Sequence, residues 1–260
     1  MKTVALITGA SSGIGRQLAH IHAERQGDLV IVARSTDRLN ELKTELESKY
    51  KVTVSVVAKD LALPNAAFEL YEEVVGQGIE VEYLINNAGF GGIGKFHERE
   101  WEQDLSMIQL NIVALTALCR HFLPGFVERS RGRILNVSST ASLVPGPLQA
   151  VYYATKAFVT SFSNAIAEEL RGSQVTVTTL LPGPTETDFA RISGMEKTSL
   201  FKQAASARRV AEDGYNAMLK GRREVISGVT FMQRLVLAAI PFTPGNLVLR
   251  QVRKMQEVKE

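Results

Sequence analysis

Short runs of β-branched and aliphatic residues recur along the chain with longer helix-periodic stretches between them. No other feature limits the fold so tightly. Residues 4–7, 29–32, 52–57, 83–85, 133–137 and 175–181 read as strands, and 224–226 as a weak seventh. Residues 15–25, 38–49 and 158–171 carry helical patterns. Nearly continuous apolar strands imply burial on both faces, and strands alternating with helices imply parallel pairing. Right-handed crossovers then produce a doubly wound α/β sheet, with its ligand crevice at the carboxyl ends of the strands.

The first strand runs into Thr8-Gly9-Ala10-Ser11-Ser12-Gly13-Ile14-Gly15, and a helix is expected to open at about Gly13. Glycine permits a tight turn and a close backbone approach, and a helix N-terminus offers free N–H groups and partial positive charge. This is a cradle for a pyrophosphate. A glycine pattern on its own says little, but here it lies between a strand and a helix. At the end of the second strand, an acid would bind a ribose 2′-hydroxyl and repel a 2′-phosphate. The chain instead has Ala33-Arg34-Ser35, and a guanidinium grips phosphate with paired hydrogen bonds. NADP(H) is therefore expected ahead of NAD(H). Asp37 and Arg38 read as the start of the next helix.

Asn136-Val137-Ser138-Ser139 ends the fifth strand, and Tyr152-Tyr153-Ala154-Thr155-Lys156 opens a helix soon after. Residues four apart share a helix face, so Tyr152 and Lys156 point the same way. An isolated phenol ionises near pH 10, and a neighbouring ammonium is expected to lower that value. Tyr153 competes for the role but has Ala157 at the same spacing. Ser138 and Ser139 alternate across the strand, and periodicity does not choose between them.

In this order the motifs resemble those of the short-chain dehydrogenases/reductases, over about residues 3–190. The resemblance rests on Thr8 to Gly15, Asp60-Leu61, Asn86-Asn87-Ala88-Gly89, Asn111, Ser139, Tyr152-x-x-x-Lys156 and Pro182-Gly183. It implies a Rossmann-like oxidoreductase in which Tyr152 exchanges the proton and Ser139 binds the substrate oxygen. Lys156 would also hold the nicotinamide ribose, and Asn111 would support a water-mediated proton relay. It further implies cofactor contacts from Gly9, Ser11, Ser12, Gly13, Ile14, Gly15, Arg34, Asp60, Asn87, Ala88, Gly89, Tyr152, Lys156, Pro182, Gly183, Thr185 and Thr187. Thr140-Ala141-Ser142 departs from the glycine many members carry there. The family also suggests a homodimer or homotetramer built through the helices holding Asn111 and Tyr152. Two other readings stay open: a dinucleotide-binding regulator without turnover, and an isomerase or lyase that uses the cofactor transiently.

Residues 90–96, 143–149 and 189–201 are expected to build the substrate pocket. Phe90, Ile93, Phe96, Leu143, Val144, Pro147 and Phe189 would make it apolar. All 260 residues are expected to form one domain, with a helical appendage from about residue 232. Arg234, Arg250, Arg253 and Lys254 intersperse apolar residues there, which suits a packing arm, an oligomer contact or a membrane-surface segment.

Composition removes several classes. A net charge of +3 with no long basic run argues against nucleic acid. The single cysteine, Cys119, excludes an intrachain disulfide, reads as a buried small hydrophobe and fits a reducing compartment such as the cytoplasm. The histidines His20, His22, His97 and His121 lack metal-ligand spacing, and no metal is expected. The first residues do not read as a signal peptide, and no apolar run approaches the roughly 18 residues that span a bilayer.

Overall fold

The computed structural model describes residues 2–195 and 204–257. Seven strands form a single sheet in the order β3-β2-β1-β4-β5-β6-β7, with every adjacent pair parallel. They are β1 (Val4–Thr8), β2 (Asp28–Ala33), β3 (Val54–Ala58), β4 (Tyr83–Asn86), β5 (Gly132–Val137), β6 (Val175–Pro182) and β7 (Glu224–Ser227). The third strand begins two residues later than the sequence pattern suggests, after Lys51 closes the preceding helix in the left-handed conformation.

Helices cover both faces. On one side α1 (Gly13–Glu24), α2 (Thr36–Tyr50) and α8 (Ala207–Leu219) bury Leu18, Ile21, Leu39, Leu42, Tyr215 and Met218 against the sheet. On the other, α3 (Ala66–Gly76), α5 (Leu115–Glu128) and α6 (Ala150–Glu169) bury Leu70, Val74, Leu118, Phe122, Val159 and Ile166. Apolar burial on this scale, at about 25 cal/mol per Å², is the main favourable term holding the layers together. Some buried polar groups pair across the layers. His22 Nδ1 meets the Tyr215 hydroxyl at 2.7 Å, tying α1 to α8, and Asn136 donates to Ser163 at 2.9 Å, tying β5 to α6. Cys119 is buried, and desolvation pushes its thiol up to about 12, as befits a packing residue.

Two features depart from the sequence reading. α4 (Trp101–Ile108) continues through a π-helical turn, Gln109–Ala114, into α5. The resulting 28-residue run, Trp101–Glu128, has a mean hydropathy of 1.4 over its most apolar window and is long and apolar enough to cross a membrane by length and composition. No uninterrupted apolar run revealed it, because polar residues punctuate it. Leu115, Leu118, Phe122 and Phe126 turn inward to the core. Near the end of the chain, α9 (Phe231–Ala239) and α10 (Gly245–Gln256) follow the short α7 (Phe189–Ile192) and β7 as a helical appendage, and α10 buries Val252 and Gln256. A Thr230/Gln233 capping box starts α9.

Candidate active site

The strand order reverses between β1 and β4, and a cavity of about 1110 Å³ opens at the carboxyl ends of these strands. Its floor is the glycine turn. Gly9 and Gly13 both hold positive φ, at 66° and 52°. A Cβ on Gly13 would sit 2.8 Å from the Thr187 side chain, so the turn and the loop beyond β6 close on one another there. A Cβ on Gly15 would sit 2.2 Å from the Gly9 carbonyl oxygen. Gly15 does not line the cavity; its role is to let α1 approach the turn. Ser11, Ser12, Gly13 and Ile14 do line it. The α1 N-terminus has no side-chain cap and no acid in its first turn. Its positive end therefore faces the cavity uncompensated, which suits a phosphate group.

Asn87 braces this floor. Its Nδ2 donates to the carbonyls of Thr8 at 3.0 Å and Gly9 at 3.2 Å, and its backbone N–H donates to Thr8 Oγ1 at 3.0 Å. Ala88 and Gly89 line the cavity beside it. Beyond β2 the lining turns cationic, with Arg34, Arg38 and Lys59. Arg38 also meets Asp188 at 3.3 Å, which links the second-strand end to the loop after β6. Spacing had assigned Arg38 only to helix initiation, and Lys59 carried no signal. Asp60 lines the same end while its Oδ1 accepts from the Ala62 N–H at 3.0 Å, so it also caps the following turn. Pro182, Gly183, Thr185 and Thr187 form the opposite wall.

Tyr152 and Lys156 face the cavity from α6 and are 8% and 5% exposed. Ser139, two residues beyond β5, caps the 3-10 turn Thr140–Leu143 beside them and hydrogen-bonds the Tyr152 hydroxyl. Ser138 points the other way, to the Lys156 carbonyl at 2.9 Å and Thr160 at 2.7 Å, so Ser139 is the serine available to a ligand. The Tyr153 hydroxyl is taken by Gln256 Nε2 of α10 at 2.6 Å. Of the pair, Tyr152 is therefore the phenol that faces Ser139 in the cavity.

The expected acidification of Tyr152 is absent. Burial pushes its hydroxyl well above the usual tyrosine range, and the Ser139 hydrogen bond offsets this only in part. Lys156 Nζ donates to the Val137 carbonyl at 2.9 Å and lies 6.0 Å from the Tyr152 ring centroid. Its own value is pushed down to about 8 by desolvation. Burial, with a further upward push from Tyr153, sets the direction of the Tyr152 shift.

Asn111 does not line the cavity. It lies in the π-helical turn, 1% exposed, and grips Phe90 on both sides. Oδ1 accepts from the Phe90 N–H at 3.2 Å, and Nδ2 donates to its carbonyl at 3.0 Å. A Cβ on Gly89 would lie 3.0 Å from Asn111 Oδ1 and 3.4 Å from Lys156 Nζ, so these two groups flank the same point.

Phe90, Ile93, Val144 and Phe189 form the apolar wall that the sequence suggested, with the Phe189 ring 5.3 Å from that of Tyr152. Phe96, Leu143 and Pro147 do not join it; Phe96 is 61% exposed. Residues 196–201 of the expected pocket lie outside the described residues. In their place the wall gains Leu237 of α9 and Val252 and Met255 of α10, none of which carried a sequence signal. Among the described residues no group of three or more His, Cys, Asp or Glu is arranged to hold a metal.

The family model described as short chain dehydrogenase matches residues 3–197. The very-long-chain 3-oxoacyl-CoA reductase of Homo sapiens is 34% identical over 198 residues, covering 72% of this chain and 61% of that protein. The chain thus spans about 61% of the length of this curated relative. A short-chain dehydrogenase from Sphingobium yanoikuyae in complex with NADPH superposes with a TM-score of 0.83 at 30% identity, covering 98% of both chains. A 7beta-hydroxysteroid dehydrogenase superposes with a TM-score of 0.84 at 25% identity, covering 96% of both.

Proposed function

The chain belongs to the short-chain dehydrogenase family, and on that footing we propose that it is an NADPH-dependent reductase of an apolar ketone. One observation carries the reading: a buried phenol, Tyr152, hydrogen-bonded to Ser139, shares a cavity with a phosphate-cradling glycine turn. NADPH, when bound, supplies hydride to the carbonyl carbon. The cradle of Ser11 to Ile14 fits its pyrophosphate, and Arg34 with Arg38 and Lys59 fits its 2′-phosphate. The NADPH complex of the Sphingobium relative is in keeping with this.

Tyr152 and Ser139 both direct hydroxyl groups at the substrate oxygen. As the carbonyl carbon is reduced, its oxygen becomes a strongly basic alkoxide, and Tyr152 gives up its proton to it. A phenol with a raised value suits this direction, because it is fully protonated at neutral pH and donates only to a strong base. Lys156 lies one helical turn on, where its ammonium can hold ribose hydroxyls and steady the phenolate formed by the transfer. Asn111 acts one step removed, by fixing the Phe90 backbone beside the reacting carbon. Phe90, Ile93, Val144 and Phe189 exclude water and favour an apolar substrate. Its relatives' name, very-long-chain 3-oxoacyl-CoA reductase, fits a long acyl carbonyl compound.

The test is NADPH oxidation against a panel of carbonyl compounds. Tyr152→Phe should fold normally, since its ring still packs on Phe189, and lose roughly 10²–10⁴-fold in kcat. Equal rates for the two proteins would remove Tyr152 as the acid.

We also propose that the chain self-associates through the helical run Trp101–Glu128 and α6. Val113 and the stacked pair Phe158 and Phe162 give these helices an outward apolar face. The α9–α10 segment exposes Phe231, Met232 and Phe242 and carries Arg234, Arg250, Arg253 and Lys254, a composition that favours peripheral contact with an anionic bilayer.

A further inference from the structure

The loop between β4 and α4 carries Phe90 and Ile93 into the apolar wall of the cavity, yet Gly89, Gly91, Gly92 and Gly94 surround them. Glycine gives up more backbone freedom on ordering than any other residue, so this wall depends on outside support. Asn111 grips the loop at Phe90, and the Gly94 N–H donates to the Leu148 carbonyl at 2.8 Å. Between these two points a single side chain reaches back across it. Residues 95–98 are exposed, but Arg99 folds inward to 11% side-chain exposure, and its Nη1 donates to the Ile93 carbonyl at 3.0 Å. A Cβ on Gly92 would collide with the guanidinium, and one on Gly94 would lie 3.1 Å from Arg99 Cγ. The glycines make the trough in which the arginine lies.

Asp104 of α4, 2% exposed, aims the arginine: its Oδ1 accepts from Nε at 2.9 Å and meets Nη2 at 2.8 Å. Of the ion pairs among the described residues, this one is the most withdrawn from solvent. Desolvation takes back most of what such a pair gains, and a well-packed apolar pair of similar volume is often as stable. Stability alone therefore does not account for it. Its placement does. Arg99 lines the cavity, and on the other side of the loop a Cβ on Gly91 would lie 2.8 Å from the Phe189 ring and 3.2 Å from that of Tyr152. The loop has no slack toward the reacting phenol, so where the Ile93 carbonyl is held sets the width of the pocket beside Tyr152.

We propose that Arg99, oriented by Asp104, is a positioning residue that sets substrate specificity by clamping the Gly89–Gly94 loop. The arginine touches neither cofactor nor reacting atoms. It fixes the Ile93 backbone, and through it the apolar wall that distinguishes one ketone shape from another. The inference rests on the reductase reading above and adds the device that shapes its pocket.

The test uses two methyl ketones of equal carbon count, one straight-chained and one branched beside the carbonyl, each assayed with NADPH. Wild type should discriminate between them. Arg99→Met alone leaves a buried carboxylate unpaired and should lower Tm by roughly 6–20 °C. The double variant Arg99→Met/Asp104→Leu should regain most of that Tm, yet its ratio of kcat/KM for the two ketones should move toward unity by roughly fivefold or more, the loss of one charge-assisted hydrogen bond. The change should lie mainly in the KM of the ketones, with the KM of NADPH unaltered. Arg99→Lys can keep the ion pair but cannot also span to Ile93, so it should hold Tm and still lose discrimination; it carries the comparison if the double variant does not fold. Hydrogen exchange of residues 91–94 should quicken roughly tenfold in these variants while the β5 amides stay protected. A double variant that regains both Tm and discrimination, or a wild type that does not discriminate, would overturn the clamp. If wild type turns over neither ketone, the reductase reading fails separately, and unchanged exchange at 91–94 in the double variant then overturns the clamp by itself.

Discussion

The imidazole of His22 is wedged between Tyr215 and the Thr3 carbonyl, so close to Gly27 that a Cβ there would lie 2.1 Å from its ring. Burial lowers its value from 6.5, against weaker raising influences from the Thr3 and Asp28 backbones. The unfolded chain therefore binds a proton more readily than the folded one. The stability from this site is complete above about pH 6.5 and is lost as pH falls below it. Melting curves at about pH 7.5 and 5.5 should show a drop in Tm that His22→Gln largely removes; an unchanged drop would refute the assignment. Such residue-scale detail was only partly legible in the sequence. Spacing picked out Tyr152 and Lys156 because both the helix period and the chemistry demanded them. It left Ser138 and Ser139 tied, and the hydrogen bonds of Ser138 to Lys156 and Thr160 break that tie. It missed the upward shift of Tyr152, since burial is a property of the surrounding packing and not of a four-residue motif.

At the scale of elements, the helical run Trp101–Glu128 does two jobs. Its inner face buries Leu118, Phe122 and Phe126, and the π turn in its middle aims Asn111 at Phe90. Its outer residues, with Phe158 of α6, are left as an apolar surface of the kind that pairs copies of a chain. Wild type should elute above its monomer mass, and Phe158→Glu should shift it toward monomer, as read by light scattering after gel filtration. A monomeric wild type would dismiss the self-association proposed here. Neither the π turn nor the part α9 and α10 play in the cavity could be read from the sequence. A π turn inserts one residue without a compositional signature. The contacts of Val252 and Met255 with the cavity join segments more than ninety positions apart from Tyr152, where periodicity has no reach.

For the molecule as a whole, the architecture was the most legible level. Alternating apolar runs and helical stretches fix a parallel sheet, and handed crossovers leave few arrangements. The order β3-β2-β1-β4-β5-β6-β7 is one of those few. Cofactor choice also belongs to this scale, because Arg34, Arg38 and Lys59 converge from three successive segments beyond β2. NADPH should raise Tm more than NADH does, and Arg34→Ala should shrink that difference by roughly 5–150-fold in relative affinity, about 1–3 kcal/mol. A wild type that melts identically with either nucleotide would contradict the cationic assignment.

The Asn87 amide, holding Thr8 and Gly9 from 79 and 78 positions away, stitches the first strand to the fourth at the very seam where the nucleotide is expected. Whatever occupies that seam therefore rivets together two halves of the sheet that no adjacent chain connection joins. An occupant present at about a hundred times its dissociation constant adds about 2.7 kcal/mol of resistance to unfolding. Oxidised and reduced nucleotide share the phosphates this seam would hold, so the protein's resistance to degradation would follow the size of the nucleotide pool.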